Sequence, residues 1–104
     1  MFLPHRVMLF LSTEQTDPDG NPIRRPDTEG VPSRAFMQPV AAHENLVDPQ
    51  AARADYVVFL PASAPALDAF AAIEWEGRRF ELVGQALAYK DPHGTLTHYQ
   101  ARLR

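Results

Sequence analysis

IEWEGRRFELVG, residues 73–84, is the stretch whose reading decides the fold. Two glutamates flank a tryptophan, and two arginines follow a glycine. Such a pattern suits either an acid/base pair beside an anion clamp or plain architecture, since glycoside and phosphoryl chemistry both use paired carboxylates. Geometry separates the two. Glu76-Gly77 is a two-residue turn signal between β-prone runs, and glycine supplies the positive φ of a type I′ hairpin. Folding there pairs Trp75 with Arg78, Glu74 with Arg79, Ile73 with Phe80 and Ala72 with Glu81. Alternation then gathers Ala71, Ile73, Trp75, Phe80 and Leu82 on one side as a core face. Glu74 falls outward opposite Arg79, a cross-strand pair contributing roughly 0.2–1 kcal/mol, and Glu76 sits in the turn. The two carboxylates are not a dyad, and the stretch reads as a core hairpin of Ile73, Trp75, Gly77, Phe80 and Leu82.

Outward from this hairpin, other strands are legible. Val7 to Leu11 is an unbroken apolar run within Arg6–Ser12 and predicts a strand buried on both faces. FMQPV, residues 36–40, predicts a short strand with Pro39 at an edge or at its end. YVVFL, residues 56–60, predicts a second buried strand stopped by Pro61. Leu96–Leu103 alternates Thr97, Tyr99, Ala101 and Leu103 on one face after a turn at residues 91–94. Ser63–Phe70 is a small-residue connector with room for one helical turn.

Two segments carry a different texture. Residues 14–34 hold four prolines, two glycines and eight charges, with Ile23 and Val31 the apolar exceptions. That composition predicts a long mobile polar loop. Residues 41–55, AAHENLVDPQAARAD, are alanine-rich and polar, and Asp48-Pro49 is placed like an N-cap and first helical residue for one or two turns. Six or seven short strands without a long helix predict one mainly β domain over 1–104, a small, strongly curved antiparallel sheet or barrel with two long loops.

Composition narrows the function. The chain has 104 residues, a net charge of −3 and no cysteine. One domain of that length buries roughly two-thirds of its unfolded surface. The acidic balance argues against a dedicated nucleic-acid binder, and the absence of cysteine removes disulfides, thiolate metal sites and a thiol nucleophile. The apolar run near the start is too short for a membrane span, and Arg6 interrupts it as a signal peptide, so a soluble product is expected. TDPDGNP, residues 16–22, lacks the glycine and glutamate positions of a calcium loop and reads as a proline-stiffened turn. His5, His43, His93 and His98 form no zinc-type helical pair. Neither a nucleophile elbow nor a phosphate loop is present, so no catalytic, cofactor or metal residue is assigned.

The order of these features resembles the head-completion, or head-to-tail stopper, proteins of long-tailed bacteriophages. The carriers are the opening strand and polar loop, FMQPV, the polar excursion, YVVFLP, a connector containing Asp68, the 73–84 hairpin and the closing YKDPHGTLTHYQARL. The resemblance covers nearly the whole chain. It implies a non-enzymatic SH3/OB-like barrel in the virion neck, assembled in the host cytoplasm without cofactors. It also implies a homo-oligomeric ring, twelve-fold, between portal or adaptor proteins above and the tail below, with double-stranded DNA in the lumen. The excursion, with Ala41, Ala42, His43, Glu44, Asn45, Asp48, Gln50 and Arg53, would be the channel-closing loop. Glu44, Asp48 and Asp55 against Arg53 give it a net charge of −2, which suits a wall that should not grip phosphate. The 14–34 loop, with Asp17, Asp19, Arg24, Arg25, Asp27 and Glu29, would be an assembly arm. A tail terminator is the alternative within the same assembly. An oligonucleotide-binding barrel is the alternative from another class, and it would need exposed aromatics interleaved with basic residues on one sheet face. The placing of Phe10, Phe59, Trp75 and Phe80 in core-type patterns speaks against it.

Overall fold

A computed structural model describes residues 2–40 and 55–104. Nine strands follow in chain order: β1 (His5–Phe10), β2 (Ser12–Thr16), β3 (Pro22–Pro26), β4 (Val31–Pro39), β5 (Tyr56–Pro61), β6 (Ala72–Trp75), β7 (Arg78–Glu81), β8 (Leu87–Lys90) and β9 (Leu96–Leu103). Seven of them form one antiparallel sheet in the order β7-β6-β1-β4-β5-β9-β8, and β2 and β3 form a separate two-stranded sheet. No helix occurs among the described residues, so the connector over 63–70 runs as turns rather than as the helical turn its small residues suggested. The short helix expected after Asp48 lies outside the described residues.

The decisive hairpin has the register its sequence dictates: Ala72–Glu81, Ile73–Phe80, Glu74–Arg79 and Trp75–Arg78 are directly opposed. Its turn is formed by Glu76 at φ 51° and Gly77 at φ 77°. Both central residues are left-handed, as a type I′ turn requires, and glycine carries that conformation without the Cβ penalty. Glu74 and Arg79 face outward together, yet the Arg79 guanidinium lies 4.3 Å from the centre of the Phe10 ring.

The large sheet curls until the end of β7 meets the end of β9, one strand in from the opposite edge. Glu81 N donates to Arg104 O and Arg104 N to Glu81 O, both at 3.0 Å, and Val83 N donates to Arg102 O at 2.8 Å. This contact curls the sheet into a half-barrel and covers the end of the β7 edge. Inside lie Leu9, Val58, Leu60, Ile73, Leu103 and Phe80, each essentially inaccessible to water. The inward faces of β4 and β5 contribute Ala35 and Met37, and Val58 and Leu60, in strict alternation.

Alternation corrects two readings. YVVFL is buried through Val58 and Leu60 alone, while Phe59 faces outward and is half-buried. β1 is buried on both faces only at its end, with Leu9 inside and Phe10 beneath Arg79.

The largest correction concerns residues 14–34. They are not one mobile loop: β2 and β3 pair over Ser12–Pro26 through Thr16–Pro22, and β4 already begins at Val31. Polar strands are stable here because ladder hydrogen bonds do not depend on side-chain polarity, and because Asp17 organises the turn. Its Oδ1 accepts hydrogen bonds from Asp19 N at 3.0 Å and Asn21 N at 2.8 Å. The FMQPV strand is accordingly longer than its apolar core, Val31–Pro39, and Pro39 stands at its end.

Candidate assembly surfaces

The β2–β3 hairpin is an arm that departs from the barrel at Leu11 and returns at Asp27, where Asp27 N donates to Leu11 O at 2.7 Å. Sequence reading assigned Asp17, Asp19, Arg24, Arg25, Asp27 and Glu29 to assembly. The structure places Asp17 and Asp19 at the arm's tip, Arg24 and Arg25 on β3, and Asp27 and Glu29 in the turn before β4. They share one projection but are not one cluster.

A polar clasp fixes the arm's base. Ser12 Oγ donates to Asp68 Oδ2 at 2.5 Å. Arg24 donates through Nη2 to Ser12 Oγ at 2.9 Å and to Ser12 O at 3.1 Å, and its Nε lies 3.7 Å from Asp68 Oδ2. Phe70 N donates to the other carboxylate oxygen at 3.0 Å. The Ser12 hydroxyl therefore holds the Asp68 carboxyl below its ordinary range, aided by the Phe70 and Ala71 amides and the Arg24 charge against some burial. Asp68 was legible as a connector residue but its partners were not. Ser12 lies 56 residues away, and no periodicity links the two.

The linkage has a definite sign. Because the carboxyl is held low in the fold, the clasp contributes stability above the unfolded carboxylate range. That contribution disappears as pH falls through the lowered value. Asp68→Asn should lose about 1 kcal/mol at neutral pH, less than a buried hydrogen bond to a charged group because water also reaches this carboxylate. The difference from the parent chain should vanish in acid, and urea titrations at both pH values would measure it. An equal loss at both pH values would show that the Asp68 charge does not hold the arm.

Two aromatic groups flank the sheet. At the barrel mouth the Trp75 ring lies 5.0 Å from His5 and 5.7 Å from Tyr56, and Tyr56 meets Phe80 edge-on at 5.2 Å. His5 Nδ1 accepts a hydrogen bond from Met37 N at 2.9 Å. Arg78 covers the mouth, its guanidinium 4.4 Å from the Phe80 centroid and 2.7 Å from Asp55 Oδ2. Trp75 is thus half-buried against the core rather than enclosed by it. The excursion leaves and re-enters beside this mouth, since Val40 N donates to Asp55 O at 3.0 Å. Its assigned residues Ala41, Ala42, His43, Glu44, Asn45, Asp48, Gln50 and Arg53 lie outside the described residues.

The second group runs across the outer face. Phe36 meets Phe59 at 6.0 Å, Phe59 meets His98 at 6.1 Å, and His98 stacks on Tyr89 at 4.9 Å with ring planes within 3°. Four adjacent strands, β4, β5, β9 and β8, supply one ring each. Phe2 (75% exposed) closes a small apolar cleft over Phe36 and Phe59. Among the described residues no group of three or more histidines and carboxylates could hold a metal. No helix there is long and apolar enough to cross a membrane.

Comparison with known proteins bears on the fold. No family model matches the chain, and no curated protein matches it in sequence. Among solved structures it is similar to the solution structure of protein SF1141 from Shigella flexneri 2a. That likeness has a TM-score of 0.66 at 18% identity over 97% of this chain and 92% of that one. At that identity the likeness is one of architecture, extending over almost the full length of both chains.

Proposed function

We propose that this chain is a structural neck protein of a long-tailed phage, a head-to-tail stopper that joins a ring below the portal. The observation that carries the reading is the arm. A hairpin clasped at its base and exposed along its length offers a preformed contact to a neighbouring subunit, and ordering it beforehand lowers the entropy lost on docking. The supports are the order of sequence features, the small β-barrel and the aromatic outer face. The excursion rooted at Val40 and Asp55 takes the channel-closing role, and its net negative charge suits DNA passing without adhesion.

The outer rings favour one other reading. Phe36, Phe59, His98 and Tyr89 present faces on which the bases of a single strand could stack, as in oligonucleotide-binding barrels. The balance of charge weighs against it, for the chain carries 13 acidic residues against 10 lysines and arginines.

Incubating the protein with DNA-filled, tailless heads distinguishes these readings. Electron micrographs should show added density at the portal vertex, and nuclease-resistant DNA should rise in the treated heads. Decoration of isolated tails instead of vertices would move the protein to the tail-terminator role. Unaltered heads together with tight binding to a labelled single strand would replace the neck reading with the nucleic-acid one.

A further inference from the structure

Arg6 and Arg34 stand directly opposite each other in the β1–β4 ladder, both exposed on the outer face. Like charges at such a pairing repel. Among the described residues neither guanidinium has an ion pair or a hydrogen bond. The two side chains line an open groove of about 480 Å³ whose walls include Pro32, Pro61 and Ala64. No residue of the arm lines that groove, and none of the described residues fills it.

The complementary feature is at the arm's tip. Asp17 and Asp19 flank Pro18, and no cation follows until Arg24. Asp17 uses Oδ1 to hold the turn, while Asp19 is exposed and its carboxylate has no ion pair among the described residues. The molecule therefore carries a hydrogen-bonded acidic turn and an unpaired basic groove on different parts of its surface.

We propose that the arm tip of one copy docks into the Arg6–Arg34 groove of a second copy. Two carboxylates meet two guanidiniums, and Pro18 lies against the prolines of the wall. The contact is heterologous, because a docked tip leaves the partner's own tip and the first copy's own groove unused. Repetition runs head to tail and closes into a ring when the rotation allows. Exposed ion pairs are individually weak and screened by salt, so free chains associate feebly and the contact gains from many copies being held together. Taking a second copy as the occupant rests on the neck reading above.

The absence of cysteine allows a clean test. One chain carries Asn21→Cys at the tip and another Ser63→Cys at the groove, mixed in equal amounts under mild oxidation. Tip-to-groove heterodimers should exceed each homodimer at least fivefold, with the excess lost in high salt. Arg6→Asp with Arg34→Asp on the groove chain should abolish the excess, and Asp19→Arg on the tip chain, which leaves the turn-holding Asp17 in place, should then restore part of it. All the substituted positions are outside the core, and circular dichroism confirms that each variant is folded. A statistical yield from the parent charges overturns the proposal, as does an excess that survives reversal. Binding of a labelled oligothymidylate that the arginine reversal abolishes, with cross-linking at the statistical yield, assigns the groove to nucleic acid instead. Vertex decoration by the reversed chain, with cross-linking at the statistical yield, removes this contact and leaves the neck reading standing. Specific cross-linking with undecorated heads does the opposite.

Discussion

Phe80→Ala should remove roughly 3–5 kcal/mol of stability, the range for truncating an enclosed aromatic. Phe80 is 1% exposed, inside the closing hairpin. The cavity would open beneath Tyr56 and Arg78, which lie against its ring, and beside the reciprocal bonds joining Glu81 to Arg104. The local structure cannot collapse to fill that space without parting the seam of the barrel. Domains of this size hold about 5–15 kcal/mol in total, so the variant should sit near its unfolding midpoint in modest urea. Trp75→Ala is the informative control. A tryptophan in the hairpin's core pattern predicts a loss as large, but Trp75 rests half-buried at the mouth between His5 and Tyr56. About 2 kcal/mol is therefore expected, with the fold retained. Urea midpoints for the two variants measure the difference. Equal losses would mean that the mouth is packed as tightly as the interior.

The contrast between those two positions shows where sequence patterning is informative. Ile73, Phe80 and Leu82 were legible because a two-residue turn fixes register, and register fixes faces for every residue of both strands. Depth along the barrel is not encoded by a period of two, so Trp75 shared the right face yet sits at its rim. Phe59 was misread for a related reason. When both faces of a strand are apolar, alternation vanishes from the sequence, and burial on the outer face depends on what covers it. Here neighbouring rings do. The strand pairing within the arm was missed because hydrophobic periodicity marks elements that pack on a core. β2 and β3 pack on none, and their order comes from backbone pairing, the Asp17 turn and the Ser12–Asp68–Arg24 clasp. The residues expected to serve assembly lie on this hairpin and in the turn after it, not in a flexible loop.

That hairpin sets how the arm should be removed. Cutting all of 14–34 would delete the first four residues of β4, which pair with Leu9 back to Arg6, and the barrel would lose a central strand along half its length. Ser12 and Pro26 are directly opposed at the arm's base, so replacing Thr13–Arg25 with a two-residue asparagine-glycine turn closes a short hairpin instead. The trimmed chain keeps the Ser12–Asp68 bond and loses only the Arg24 contribution, so its stability should fall by about 1 kcal/mol or less. Its occupancy on DNA-filled heads should fall at least tenfold, because the preformed contact has gone while every core residue remains. Urea unfolding and quantitative blotting of purified heads, applied to the same preparation, separate the two effects. A trimmed chain that stays folded and still occupies portal vertices fully would show that the arm does not mediate assembly. The aromatic outer face would then be the surface that docks. A trimmed chain that fails to fold would show that the two-stranded sheet, despite its exposure, supports the barrel through the clasp.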